Sequence, residues 1–207
     1  MTDARDRILA SARALYLEGG VEAVTMRSVA ERVGVTATAL YRHFDNKEDL
    51  IGEVITGAFQ TFGSYLYRSL GGRTPMERFT QSGEAYLDFA LEQREIYRTI
   101  FMTPIPKRKG VEAPAEKRRD PGNTFQFLVD RIRECMESGD LRRDDPEAVA
   151  LSVWAHDHGL VTLHICGTLG QTDEEFRETF RRSLDRLMAG FAGAGKGGKG
   201  GNKEKSS

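Results

Sequence analysis

Residues Thr25–Leu50 read TMRSVAERVGVTATALYRHFDNKEDL, and this stretch decides the fold. Thr25 is placed to cap a helix over Met26–Val33, because a threonine hydroxyl at that position accepts from the orphan amides of the first turn. Gly34 stops that helix and permits a tight turn, and Val33 and Val35 are expected to seal the angle between the two helices. Thr36 caps a third helix over about Ala37–His43. Val29 and Ala30 on the first of these helices and Leu40 on the second supply a small shared core. The pattern is a helix-turn-helix. Thr36, Ala37 and Thr38 are small enough to let the start of the second helix sink into a major groove and contact phosphate or thymine methyl groups. Arg27, Arg42, His43 and Lys47 set donors around that helix, suited to backbone phosphates. Lys47 also opens the next helix, whose N-terminal amides can themselves face a phosphate.

Outward from this stretch the chain reads as helical almost throughout, with no hairpin signals and no internal repeat. Towards the N-terminus, Ile8, Ala12, Leu15 and Tyr16 recur at helical spacing over Ala4–Glu18, and Gly19-Gly20 ends that helix. Towards the C-terminus, Asp45-Asn46 opens a long fourth helix running to about Leu70 and carrying Leu50, Val54, Ala58 and Phe62 on one side. Thr74-Pro75-Met76-Glu77 combines a capping box with proline at the first helical position. A short helix follows around Ile96, Tyr97, Ile100 and Phe101. Pro104–Arg119, rich in Pro, Lys, Arg and Glu, reads as a mobile loop. Later helices start at Asp120-Pro121, Asp145-Pro146-Glu147 and the capping box Thr172–Glu175, ending near Gly139, Gly167 and Ala189. Residues 190–207 form a Gly/Lys tail with little to bury.

The LYRHF sequence at Leu40–Phe44, with Lys47 and Leu50 after it and Thr25–Ala30 before it, resembles the signature of the TetR-type repressors, over about Arg5–Leu50. That resemblance implies an all-α protein. A three-helix head (residues 1–46) would be joined by the long fourth helix to a helical effector-binding and dimerisation bundle (47–189). It implies that Thr36, Thr38 and Tyr41 enter the groove, that Thr25, Tyr41, His43 and Lys47 touch phosphates, and that Arg27 reads a base. Trp154-Ala155-His156-Asp157-His158-Gly159 resembles a subclass of TetR-type C-terminal domains marked by a Trp-His-Gly motif. By that resemblance the helices over Asp145–Cys166 and Thr172–Ala189 would form the dimer face, where Ala148, Ala150, Ala155 and Gly159 are small enough for close helix approach.

Composition restricts the alternatives. The 207 residues carry a net charge of −1, which excludes a protein that coats DNA with a wholly basic surface but not one with a local positive face. No apolar run approaches the roughly 20 residues that span a bilayer, and the first residues lack the apolar segment of a signal peptide, so a cytoplasmic location is expected. Cys135 and Cys166 are expected as buried apolar thiols. His156, His158 and His164 share a helix, but their spacing does not converge on one ion, so hydrogen-bonded histidines are expected rather than a metal site, and no cofactor is implied. Lys107–Lys109 and Lys117–Arg119 read as a solvated loop rather than a second DNA patch, since no aromatic residue accompanies them.

An effector pocket for a small, largely apolar molecule is expected among Phe62, Tyr65, Tyr86, Phe89, Tyr97, Phe101, Phe125, Trp154 and His158. Apolar rings with a few polar handles are the usual lining of such sites. The partners implied are a pseudo-palindromic operator duplex, a second copy of the chain and that effector. Two other classes stay open at this point: a constitutive or architectural DNA-binding protein without effector, and a helical enzyme, for which no catalytic constellation can be named.

Overall fold

The computed structural model describes residues 4–103 and 123–193. They form nine α-helices and no sheet. Helix α1 spans Ala4–Ala23, but Gly19 (φ −144°, ψ 19°) and Gly20 (φ 67°, ψ −162°) break it at the predicted stop. A Cβ on Gly19 would lie 2.7 Å from the Cβ of Ala23, so only glycine allows the three residues beyond the break to fold back. Helix α2 (Met26–Val33) ends at Gly34, whose φ of 78° and ψ of 37° are left-handed. Helix α3 is shorter than the sequence suggests: Ala37–Leu40 are helical, and Tyr41–His43 continue as a turn.

Asn46 caps α4 (Lys47–Leu66) by accepting from the Asp49 amide. The helix tightens into a 3-10 turn over Tyr67–Gly71 rather than running on to Leu70. The Thr74/Glu77 capping box opens α5 (Pro75–Glu92), with the Glu77 amide 3.1 Å from Thr74 Oγ1. Helix α6 (Arg94–Tyr97) leads into a π turn at Arg98–Met102, an uncommon geometry that concentrates at functional sites. Helices α7 (Thr124–Ser138), α8 (Pro146–Ile165) and α9 (Asp173–Ala189) follow, the last opened by the predicted Thr172/Glu175 capping box. The segment Pro104–Arg119 and the start signal Asp120-Pro121 lie outside the described residues.

The chain divides into two compact units. The first comprises the described residues of Met1–Arg68 and Glu84–Thr124. In it α1 packs on α2, on α4 and on the π turn, and α2 packs on α3. Ile8, Ala12 and Tyr16 of α1 and Leu50, Ile51, Val54 and Ile55 of α4 are buried in this unit. The second comprises the described residues of Ser69–Gly83 and Phe125–Ser207. There α8 packs on α9, with Val149, Val153, Val161, Phe176 and Phe180 buried. Arg78 and Arg131 both grip Glu134, which ties the start of α5 to α7. Two sequence expectations change here. Cys135 is buried, its thiol pushed up to about 12 by that burial, but Cys166 is exposed because it falls just past the end of α8. Gly190–Gly193 do not trail away: Arg142 donates to the Phe191 carbonyl and Gly193 to that of Asp140, and Leu141 bridges Ala192.

Candidate nucleic-acid interface

The helix-turn-helix is held by local bonds. Thr25 Oγ1 accepts from the Ser28 amide at 3.0 Å, and the Thr25 amide donates back to Ser28 Oγ at 2.9 Å. Thr36 Oγ1 accepts from the Ala39 amide at 3.3 Å. Thr25 and Thr36, two of the three threonines expected at the DNA, therefore also fix the starts of their helices. Beneath them Val29, Ala30, Leu40 and Phe44 are buried. Of the two valines expected to seal the angle, Val33 is half-buried but Val35 is 40% exposed and does not, while Leu40 and Phe44 are fully buried nearby in sequence.

With the apolar positions turned inward, most of the residues expected at the DNA are left in solvent. Thr25, Arg27, Thr36, Thr38, Tyr41, Arg42 and His43 are exposed, while Ala37 and Lys47 are half-buried. Tyr41 is 56% exposed, large for a ring in a well-packed head. Arg27 is not idle: its Nε lies 2.9 Å from Glu31 one turn on, a solvent-exposed pair that a duplex can displace. Arg5, Arg7 and Glu53 had no local signal in the sequence. Arg7 donates to the Val33 carbonyl at 3.0 Å, and Arg5 pairs with Glu53 across 48 residues. Contacts over such separations leave no periodic trace.

Six of the nine residues expected at the effector site meet in the first unit. Phe62, Tyr65, Tyr86, Phe89, Tyr97 and Phe101 converge from α4, α5, α6 and the π turn, with centroids from 4.7 Å (Phe62–Phe89) to 6.3 Å (Phe89–Tyr97). Edge-on and tilted pairs prevail, the arrangement favoured by ring quadrupoles. Their polar handles pair internally. The Tyr86 and Tyr97 hydroxyls are 2.9 Å apart, and Tyr65 donates to Glu92 at 2.7 Å while accepting from Gln93 at 3.3 Å. Burial, reinforced by Glu92, raises the Tyr65 pKa and keeps the hydroxyl protonated.

The other three form their own set in the second unit. Trp154 lies 6.0 Å from Phe125 and 6.0 Å from His158, whose pKa burial lowers. The remaining histidines of α8 are hydrogen-bonded. His156 contacts Asp157 and Ser183, each at 2.9 Å. His164 contacts Asp173 at 2.8 Å and stacks on Phe176 at 4.1 Å. Among the described residues no cluster of His, Cys, Asp and Glu is arranged to hold a metal ion, and no helix is long and apolar enough to cross a membrane.

A helix-turn-helix head with an exposed polar reading face, continued by a long helix into a helical body, defines a DNA-binding transcription regulator. Residues 8–54 match the family described as bacterial regulatory proteins, tetR family, and residues 79–187 match the tetracyclin repressor-like C-terminal domain. The transcriptional repressor KstR2 of Mycobacterium tuberculosis is 34% identical over 150 residues, covering 68% of this chain and 70% of that protein. KstR2 of Mycolicibacterium smegmatis is 26% identical over 147 residues, covering 68% of each. The solved structure of the ketosteroid transcriptional regulator KstR2 of M. tuberculosis shares the fold, with a TM-score of 0.68 at 20% identity over 93% of this chain and 96% of that one. The chain belongs to the TetR family. The matched C-terminal domain carries only that general description, so the narrower Trp-His-Gly likeness rests on Trp154, His158 and Gly159 alone.

Proposed function

We propose that two copies of the chain repress transcription by binding a pseudo-palindromic operator, and that a small, largely apolar effector releases them. The observation that carries this reading is the course of α4. It begins at the DNA face with Lys47 and, within the same unit, contributes Phe62 and Tyr65 to the aromatic cluster. Thr36, Thr38 and Tyr41 would enter the major groove, with Thr25, Arg42, His43 and Lys47 on phosphates and Arg27 freed from Glu31 to reach a base. Two such heads suit half-sites about one helical turn apart.

Dimerisation through α8 and α9 is supported by the outward side of α8, where Leu151 and Leu163 are 53% and 42% exposed and the small Ala148 and Ala155 are exposed as well, whereas Ala150 is buried. Release requires the effector to bind the DNA-incompetent arrangement more tightly than the competent one. The six-ring cluster, with its tyrosine hydroxyls, suits an apolar ring compound bearing a carbonyl or hydroxyl. Since M. tuberculosis KstR2 is described as a ketosteroid regulator, polycyclic ketones are the first compounds to try. The close ring packing, with Phe89 and Tyr97 fully buried, favours a second reading in which the cluster is plain core and DNA binding is constitutive.

Selection of bound sequences from random duplexes tests the proposal. It should return a two-fold symmetric consensus occupied by two chains. Compounds can then be screened by release of that duplex. A consensus that no ring compound releases supports the constitutive reading, and the absence of any consensus rules out sequence-specific repression.

A further inference from the structure

The first turn of α1 straddles the reading head. Arg7 reaches the last residue of α2 through the Val33 carbonyl. Arg5, two positions earlier and so on another side of α1, turns to the corner between α3 and α4. Its guanidinium lies 5.0 Å above the ring of Phe44 and pairs with Glu53, in the second turn of α4. Phe44 is buried, whereas the Arg5 and Glu53 side chains are 41% and 33% exposed. Three segments thus meet at one guanidinium: the start of α1, the residue that closes the recognition turn, and α4. The π turn that carries Phe101 packs against both α1 and α4, the same two helices that Arg5 joins.

We propose that Arg5, Phe44 and Glu53 form a clamp that fixes the angle between the reading head and α4, so that Arg5 is a positioning residue for paired half-sites and not a DNA contact. The geometry favours this over a phosphate contact. The charged end of Arg5 already has a carboxylate on one side and an aromatic face on another, and reaching a phosphate would mean giving up both. A head released from the clamp keeps its own core of Val29, Leu40 and Phe44 and still fits one groove. It no longer presents two heads at a fixed spacing, so ordering them falls on the binding step.

This inference rests on the DNA-binding reading, and its test separates the two. Affinity is measured for wild type, Arg5→Ala and Glu53→Gln on the selected operator and on a duplex with one half-site scrambled, across a range of salt. Arg5→Ala should bind the full operator about tenfold more weakly, the combined size of an exposed ion pair and a cation–π contact, and Glu53→Gln about two- to fivefold more weakly, the size of the ion pair alone. Binding to the single half-site and the salt dependence should stay as in wild type. The double variant Arg5→Ala/Glu53→Ala should be no weaker than Arg5→Ala, because the two side chains act through one contact. A phosphate contact predicts the opposite sign for Glu53→Gln: removing a negative charge and freeing Arg5 would strengthen binding. Equal or tighter binding by Glu53→Gln overturns the clamp, as does Arg5→Ala weakening both duplexes with a salt slope smaller by about one for each engaged head. Wild type that selects no sequence overturns the DNA-binding reading and the clamp together.

Discussion

In the helix-turn-helix the residues that would define function face outward over a small core, whereas in the aromatic cluster the defining residues are themselves the core. Thr38, Tyr41, Arg42 and His43 are exposed, and the head stands on Val29, Leu40 and Phe44 beneath them. Phe62, Tyr86, Phe89 and Tyr97 are all buried, and each touches two or more other rings. The two regions share α4, yet under the proposed function binding and stability would separate in one and coincide in the other. A DNA surface must stay wet and uncovered until the duplex arrives. A site for an apolar molecule must be built from the side chains that exclude water.

That contrast can be broken by substitution, and the largest effect should come from the cluster. Phe89→Ala removes a fully buried ring in contact with Phe62, Tyr65 and Tyr97, and should cost about 3–5 kcal/mol in chemical denaturation. A loss under about 1 kcal/mol would mean that the rings already surround a space that can collapse. Gly34→Ala forces a Cβ onto a left-handed residue and should cost about 1–2 kcal/mol, with operator affinity falling as the turn re-forms. An unchanged head would contradict the role given to that turn. Tyr97→Phe deletes one half of the buried hydroxyl pair and should cost about 0.5–1.5 kcal/mol, leaving DNA binding as in wild type.

The smallest effect concerns pH. Burial lowers the His158 pKa below its ordinary 6.5, so just under that pH the unfolded chain holds more protons than the folded one. Stability should therefore fall as pH drops through 6.5, and His158→Gln should remove that part of the slope. Parallel curves for wild type and variant would show that His158 carries none of it.

What could be read from the sequence follows the same division. The caps Thr25, Thr36 and Asn46 and the stop at Gly34 involve partners within three or four positions, so spacing alone revealed them. The length of α3 was overestimated because Tyr41–His43 continue the helical pattern while their backbone opens into a turn. The exposure of Val35 escaped the same reasoning, since an apolar residue beside a turn looks like a seal whichever way it points. In the cluster, aromatic identity singled out six residues that meet in the first unit, but not their grouping apart from Phe125, Trp154 and His158. Pairing between positions 62 and 86–101 is set by how α4, α5 and the π turn pack, and no local pattern records it. The Arg5–Glu53 contact was invisible for the same reason.

The most direct test of the account is the operator affinity of Tyr41→Ala measured beside its unfolding free energy. Tyr41 is 56% exposed, so truncation should leave stability within about 0.5 kcal/mol of wild type. Loss of a groove contact should weaken operator binding by about 1–3 kcal/mol. Affinity equal to that of wild type, in a variant that folds normally, would contradict the placement of this face on DNA.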